Sequence, residues 1–247
     1  MTRLRAILPL FLASMPATAF AAPGIPAFSV QTAAGGGQTY TLTLQVLALM
    51  TAITLLPAAL LMMTAFTRII IVLSILRQAL GAGQSPPNQV LIGLALFLTL
   101  FVMGPVFSKI GADSLQPLLN NDISAVEAVE RAETPLRDFM IKQTRRQDLG
   151  LFLKLAGGQT YATAEDVPFR ILVPAFVTSE LKTGFQIGFM IFLPFVVIDI
   201  VVAAVMMSLG MMLLSPISIS LPLKLALFVL VNGWTLVIGS LAAGFIR

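Results

Sequence analysis

The sequence predicts an all-α integral membrane protein built from apolar helical hairpins, with a small extracytoplasmic helical segment, and three observations carry that reading. Of its 247 residues 57% are hydrophobic and only 11% charged, against about 25% charged in soluble domains. The charges concentrate between residues 109 and 182 and leave long apolar runs on either side. In the last of these runs Asp199 and Lys224 are the only charges between Lys182 and Arg247. An ionised side chain at membrane depth costs roughly 2.5–3.5 kcal/mol on insertion scales, so such groups face partners or water.

Taken in order, residues 1–21 read as a signal peptide. Arg3 and Arg5 form the basic start, Ala6 to Ala13 the apolar core, and Ala19 and Ala21 the small pair before cleavage. Residues 22–41, rich in Pro, Gly and Ala and ending in a Gly35-Gly36-Gly37 run, read as a flexible linker. Residues 42–108 hold the N-terminal apolar helices. One runs to about Met63, a second piece covers Arg68 to Leu80, and a third covers Val90 to Phe107, with Asn88 as its candidate cap.

Residues 109–183 carry nine basic and ten acidic side chains and read as a polar extracytoplasmic helical domain. One helix is expected after Asp122. A second is expected from Thr134-Pro135, with Pro at its first position, running to the Gly157-Gly158 pair. Residues 184–247 read as a C-terminal helical hairpin, its arms starting near Phe185 and Leu221 and joined at a Met-rich bend. Gly184 and Gly188, four apart, suit close helix packing. Hydropathy then gives four spans with residues 109–183 outside and the hairpin tip inside.

The hairpin holds the candidate site. Counted from Ser215 as the apex, Asp199 lies sixteen residues back and Lys224 nine forward. At 1.5 Å per residue that is a depth mismatch of roughly 10 Å, which favours a buried charge pair made between subunits. Met206, Met207, Met211 and Met212 crowd the bend, where flexible thioethers suit a deformable apolar seal as well as ordinary packing.

Other chemistry has little support. The chain has no Cys and no His, which removes disulfides, thiolate and imidazole catalysis and nearly all transition-metal sites. Net charge is +4, without a basic stripe for nucleic acid. Gly81 and Gly83 lack the third glycine of a nucleotide fingerprint. No enzyme activity and no cofactor are expected. An ion-coupled transporter using Asp199 is a further reading, but such transporters show internal repeats, and none is visible here.

Several long motifs add a resemblance. Pro174-Ala175-Phe176-Val177-Thr178-Ser179-Glu180-Leu181, Gly184-Phe185-Gln186-Ile187-Gly188-Phe189 and Leu193-Pro194-Phe195-Val196-Val197-Ile198-Asp199 closely resemble the flagellar FliP proteins of the type III secretion export-gate family. So do Thr67 to Leu73, Arg77 to Gly81, Pro86 to Val90, Leu221 to Lys224, and Gly233-Trp234. The likeness covers essentially the whole chain. It implies a homopentamer that joins FliQ and FliR in an inner-membrane export gate of the flagellar basal body, passing unfolded rod, hook and filament subunits. It also implies a gasket of consecutive Met residues, here Met211, Met212 and Leu213, and helices tilted into a cone. The subunit of a virulence injectisome is the nearest alternative within the resemblance.

Overall fold

A computed structural model describes residues 28–32, 38–42, 44–83, 85–158, 161, 166–211 and 215–245. The signal-peptide reading of residues 1–21 falls outside them. Two compact units divide at Leu56 and Pro57. In the first, strands β1 (Phe28–Thr32) and β2 (Gln38–Leu42) pair antiparallel, Phe28 opposite Leu42 and Thr32 opposite Gln38. This hairpin occupies the stretch read as a linker. Its Val, Tyr and Thr residues are good strand formers, a signal outweighed in the sequence reading by the glycines between them. Every later element among the described residues is helical, as expected of a helical membrane protein.

Helix α1 (Leu44–Met62) runs through Pro57 and ends before Thr64. In the second unit, α2 (Phe66–Leu80) stops at Gly81, whose φ of 70° is a left-handed cap that a side chain adopts at a cost. Helix α3 (Asn88–Ile110) continues through a π-helical turn, Gly111–Leu115, into α4 (Gln116–Leu119). Pro87 precedes α3, and Asn88 instead accepts a hydrogen bond from Arg77 Nη1 at 2.6 Å.

Two boundaries in the polar segment differ from expectation. The N-cap of α5 (Ala125–Gln143) is Ser124, whose hydroxyl accepts from Glu127 N, and not Asp122. The helix then passes through Thr134-Pro135, with Pro135 buried inside it. The break comes later, at Thr144 and Arg145, before α6 (Arg146–Leu155). Likewise α7 (Phe169–Ser208) begins well before Phe185. Ile171, Leu172 and Phe176 are buried against Met140 and Val167, so packing draws the apolar span into the polar segment as one continuous helix. After the bend come α8 (Pro216–Leu230) and α9 (Gly233–Ala243), bent by 63° at Val231 and Asn232. By length and apolarity the stretch 88–119 and α7 each suffice to cross a membrane, and the pairs α1–α2 and α8–α9 do so only as broken spans.

Helix α2 is the hub of the second unit. Ile69, Val72, Leu73, Leu76 and Ala79 are fully enclosed, with α3, α7 and α8 around them. The sharpest approach is to α7. Ile71 packs on Gly184, where a Cβ would lie 3.2 Å from its Cγ2, and Ile75 packs on Gly188, where a Cβ would lie 3.1 Å from the isoleucine Cβ and clash with Cδ1. The glycine pair four apart therefore meets an isoleucine pair four apart, groove to ridge. Apolar side chains gain little by exchanging lipid for protein, so helices of this kind are held by such close packing and by polar ties.

Candidate functional site

Three polar ties cross the helices. The first joins α7 to α8. Lys224 Nζ lies 2.6 Å from Asp199 Oδ2, Ser220 Oγ donates to Asp199 Oδ1 at 2.6 Å, and Lys224 Nζ also donates to the Ala79 carbonyl at the end of α2 at 3.1 Å. Lys224 is buried, whereas Asp199 keeps 35% of its side-chain exposure. The sequence-predicted pair is thus brought together within one chain. The depth mismatch disappears because the helices end at Ser208 and Pro216, not at a sharp apex. Measured from those ends, Asp199 and Lys224 lie nine and eight residues deep.

The bend itself spans Leu209 to Ser215. Gly210, at φ 72°, turns the chain, and Met211 N closes onto Met206 O. Met206 is buried, while Met207, Leu209 and Met211 are exposed at 61%, 68% and 39%. Of the expected gasket Met211 lies on this exposed edge. Met212 and Leu213 fall outside the described residues.

The second tie joins α2 to α7 and was not singled out from sequence. Arg68 Nε donates to Glu180 Oε2 at 3.0 Å and Arg68 Nη2 to Glu180 Oε1, a two-pronged pair in which both groups are buried. The same Nη2 donates to Gln143 Oε1 on α5 at 3.0 Å, and the guanidinium stacks 3.9 Å from the Phe245 ring centroid beyond α9. Four segments therefore converge on one arginine. A planar fork suits this task, since it satisfies a carboxylate and an amide while its face covers an aromatic ring. The available signal was of the same kind that marked Asp199 and Lys224: Arg68 stands alone in the apolar run from Leu42 to Leu76.

The third tie lies at the α5–α6 break. Asp148 accepts from Ser179 Oγ at 2.8 Å and from Lys182 Nζ, and Arg145 N donates to Ser179 Oγ at 3.0 Å. Burial opposes ionisation of Asp148, but the hydrogen bonds from Lys182 and Ser179 and the charges of Lys182 and Arg145 outweigh it, holding the carboxyl below its ordinary value. A lowered folded-state value means stability that is present above the unfolded carboxylate value and lost as pH falls through the folded one. The stability gap between the parent and Asp148→Asn, read by thermal unfolding in detergent, should be open at neutral pH and close on acidification. A gap independent of pH would remove the ionised carboxylate from the account.

Every buried side-chain nitrogen and oxygen among the described residues has a hydrogen-bond partner, and none of their His, Cys, Asp and Glu side chains group as a metal site. The arrangement is a set of internal ties around an apolar bundle. Comparison with known proteins places it. The model of the FliP family matches residues 49–241. The chain belongs to the FliP family. It is 60% identical over 222 residues to the flagellar biosynthetic protein FliP of Cereibacter sphaeroides, covering 90% of this chain and 73% of that one. It is 56% identical over 230 residues to the protein of that name in Pectobacterium carotovorum subsp. carotovorum, covering 92% and 89%. To the Bacillus subtilis (strain 168) protein it is 54% identical over 203 residues, covering 82% and 92%. The family match takes in the six side chains that hydrogen-bond in the first two ties, Arg68, Gln143, Glu180, Asp199, Ser220 and Lys224, and Phe245 lies beyond it.

Proposed function

We propose that this chain is a pore-forming subunit of the flagellar type III protein export gate, passing unfolded rod, hook and filament subunits across the bacterial inner membrane. Relatives that are flagellar biosynthetic proteins support the flagellar setting. The observation that carries the pore is the α7–α8 hairpin: its arms are tied by Asp199 and Lys224, while its bend presents Met207, Leu209 and Met211 outward. In a homopentamer with FliQ and FliR the five bends converge on the axis, Met211, Met212 and Leu213 seal it, and residues 109–183 face the periplasm. No reaction is catalysed and no cofactor is held. Unbranched apolar side chains exclude water and ions, yet each atom contact is worth only ~0.1–0.2 kcal/mol, so a moving polypeptide parts them.

The test is the double variant Met211→Ala with Met212→Ala. Its assembly should be unchanged, and membranes containing it should leak small ions, with Met211→Leu and Met212→Leu restoring most of the block. Ala variants that assemble and leave the membrane as tight as the parent would remove the seal from this bend.

A further inference from the structure

Beside the ties lies an apolar groove. It runs between α7 and α9, has a volume of about 540 Å³, and is lined by Ile187, Met190, Ile191, Leu236 and Val237, with Gln186 and Ser240 as its polar atoms. That volume falls in the range of ligand sites, about 300–1,000 Å³. One end is cationic. Arg145 Nη2 donates to Gln186 Oε1 at 2.5 Å and to Thr183 Oγ1 at 2.8 Å, both neutral acceptors, while its charge also acts on Asp148 and Glu180. Lys182 stands one helical turn before Gln186, half exposed. Arg146, next in the chain, is exposed and has no hydrogen bond or ion pair with another described side chain. The nearby acids are Asp148, held by Ser179 and Lys182, and Glu180, paired with Arg68, so Arg145, Arg146 and Lys182 against Asp148 leave the cluster a net charge of +2.

We propose that the groove and this cluster together bind one anionic glycerophospholipid of the bilayer, its phosphate against Arg145, Arg146 and Lys182 and one acyl chain between α7 and α9. The apolar walls belong to α7, which is long and apolar enough to cross a membrane, and to α9, which is so only together with α8, and Lys and Arg at the end of such a groove supply the charge that an anionic headgroup pairs with. A neutral apolar helix would fill the walls but gains nothing from the cations. A soluble phosphate would meet the cations but gains nothing from Met190, Ile191 and Leu236. Only an amphiphile with an anionic head uses both halves. This inference does not depend on the export reading.

Native mass spectrometry of the full-length protein in detergent tests it, with dioleoyl phosphatidylglycerol or dioleoyl phosphatidylcholine added at equal concentration. The parent should retain the glycerol lipid roughly tenfold better, the preference shrinking as salt rises. Arg146→Gln, at an exposed residue outside the ties, should reduce that preference in part, and Arg145→Gln with Arg146→Gln should abolish it. Ser240→Phe, which fills the groove and leaves the cations, should lower retention of both lipids. Equal retention of the two lipids by the parent, or a double Gln variant that retains phosphatidylglycerol as the parent does, overturns the headgroup site. Unchanged retention in Ser240→Phe overturns the acyl groove.

Discussion

Glu180→Ala is expected to destabilise the protein by about 3–5 kcal/mol, because it leaves the buried Arg68 guanidinium without its counter-charge. The loss is larger than a count of hydrogen bonds suggests, since Arg68 also holds Gln143 and covers Phe245, and all of these sit around one charge. Glu180→Gln keeps an acceptor for Arg68 Nε and should cost less. Replacing both members with apolar residues, Arg68→Met with Glu180→Leu, should recover most of the loss, because a buried pair stabilises little more than well-packed apolar groups of its size. Unfolding of the detergent-solubilised chain by denaturant reads all three. If Glu180→Ala melts within about 0.5 kcal/mol of the parent, the range of an ordinary surface change, the tie is not structural. If the apolar double variant is as damaged as the single one, the shape of the arginine matters more than its charge balance.

Such ties matter here because the solvent around most of these helices is itself apolar. Helix α2 contributes a nearly complete apolar face to the core, but the same side chains would be equally at ease in lipid. What distinguishes this packing from others is where the few polar groups meet. Arg68 sits one turn before Ile71 and two before Ile75, the residues that press on Gly184 and Gly188, so the charge pair and the steric fit select the same registration of α2 on α7. A buried ion pair as a device for register is an attested use. Here a slip of one residue would separate Arg68 from Glu180 and drive the isoleucines off the glycines together.

Much of this was legible in the sequence, and the parts that were not have physical reasons. Apolar runs longer than a span locate α1, α3, α7 and α8, because length and charge exclusion are strong signals. Asp199 and Lys224 stand out for the same reason, and the structure brings them together. Their depth mismatch was overestimated because a bend of several residues looks, in one dimension, like a single apex. The reading of Thr134-Pro135 as a helix start failed because proline's preference for a first turn is a local signal, and with Pro135 buried inside α5 the tertiary packing overrides it. Arg68 and Glu180 were passed over because Arg68 begins a helical piece beside a short loop and Glu180 belongs to the charged segment 109–183, places where a charge also makes sense at the membrane surface. Only tertiary contact separates those two meanings. The hairpin β1–β2 lay in a glycine-rich stretch whose alternation is too short to outweigh its composition.

Asp199→Ala should be the more damaging of the two hairpin variants, and this follows from exposure. Its removal strands Lys224, which is buried, whereas Lys224→Ala strands a carboxylate that keeps 35% of its exposure and the Ser220 hydroxyl as a donor. The first should cost about 3–5 kcal/mol, as for any buried charge left alone. The second should cost less, because water reaches Asp199. Exchanging the charges, Asp199→Lys with Lys224→Asp, restores attraction but places a carboxylate against the Ala79 carbonyl, where Lys224 Nζ now donates at 3.1 Å. The exchange should therefore recover only part of the loss, with the remainder traceable to the end of α2. Replacing both with apolar residues, Asp199→Leu with Lys224→Met, should give a chain that folds nearly as well as the parent. Assembly and unfolding of the purified protein distinguish these outcomes. A charge exchange that is fully as stable as the parent would show that Ala79 is no part of the tie. A hairpin indifferent to every one of these variants would mean that its arms are held by their apolar faces alone.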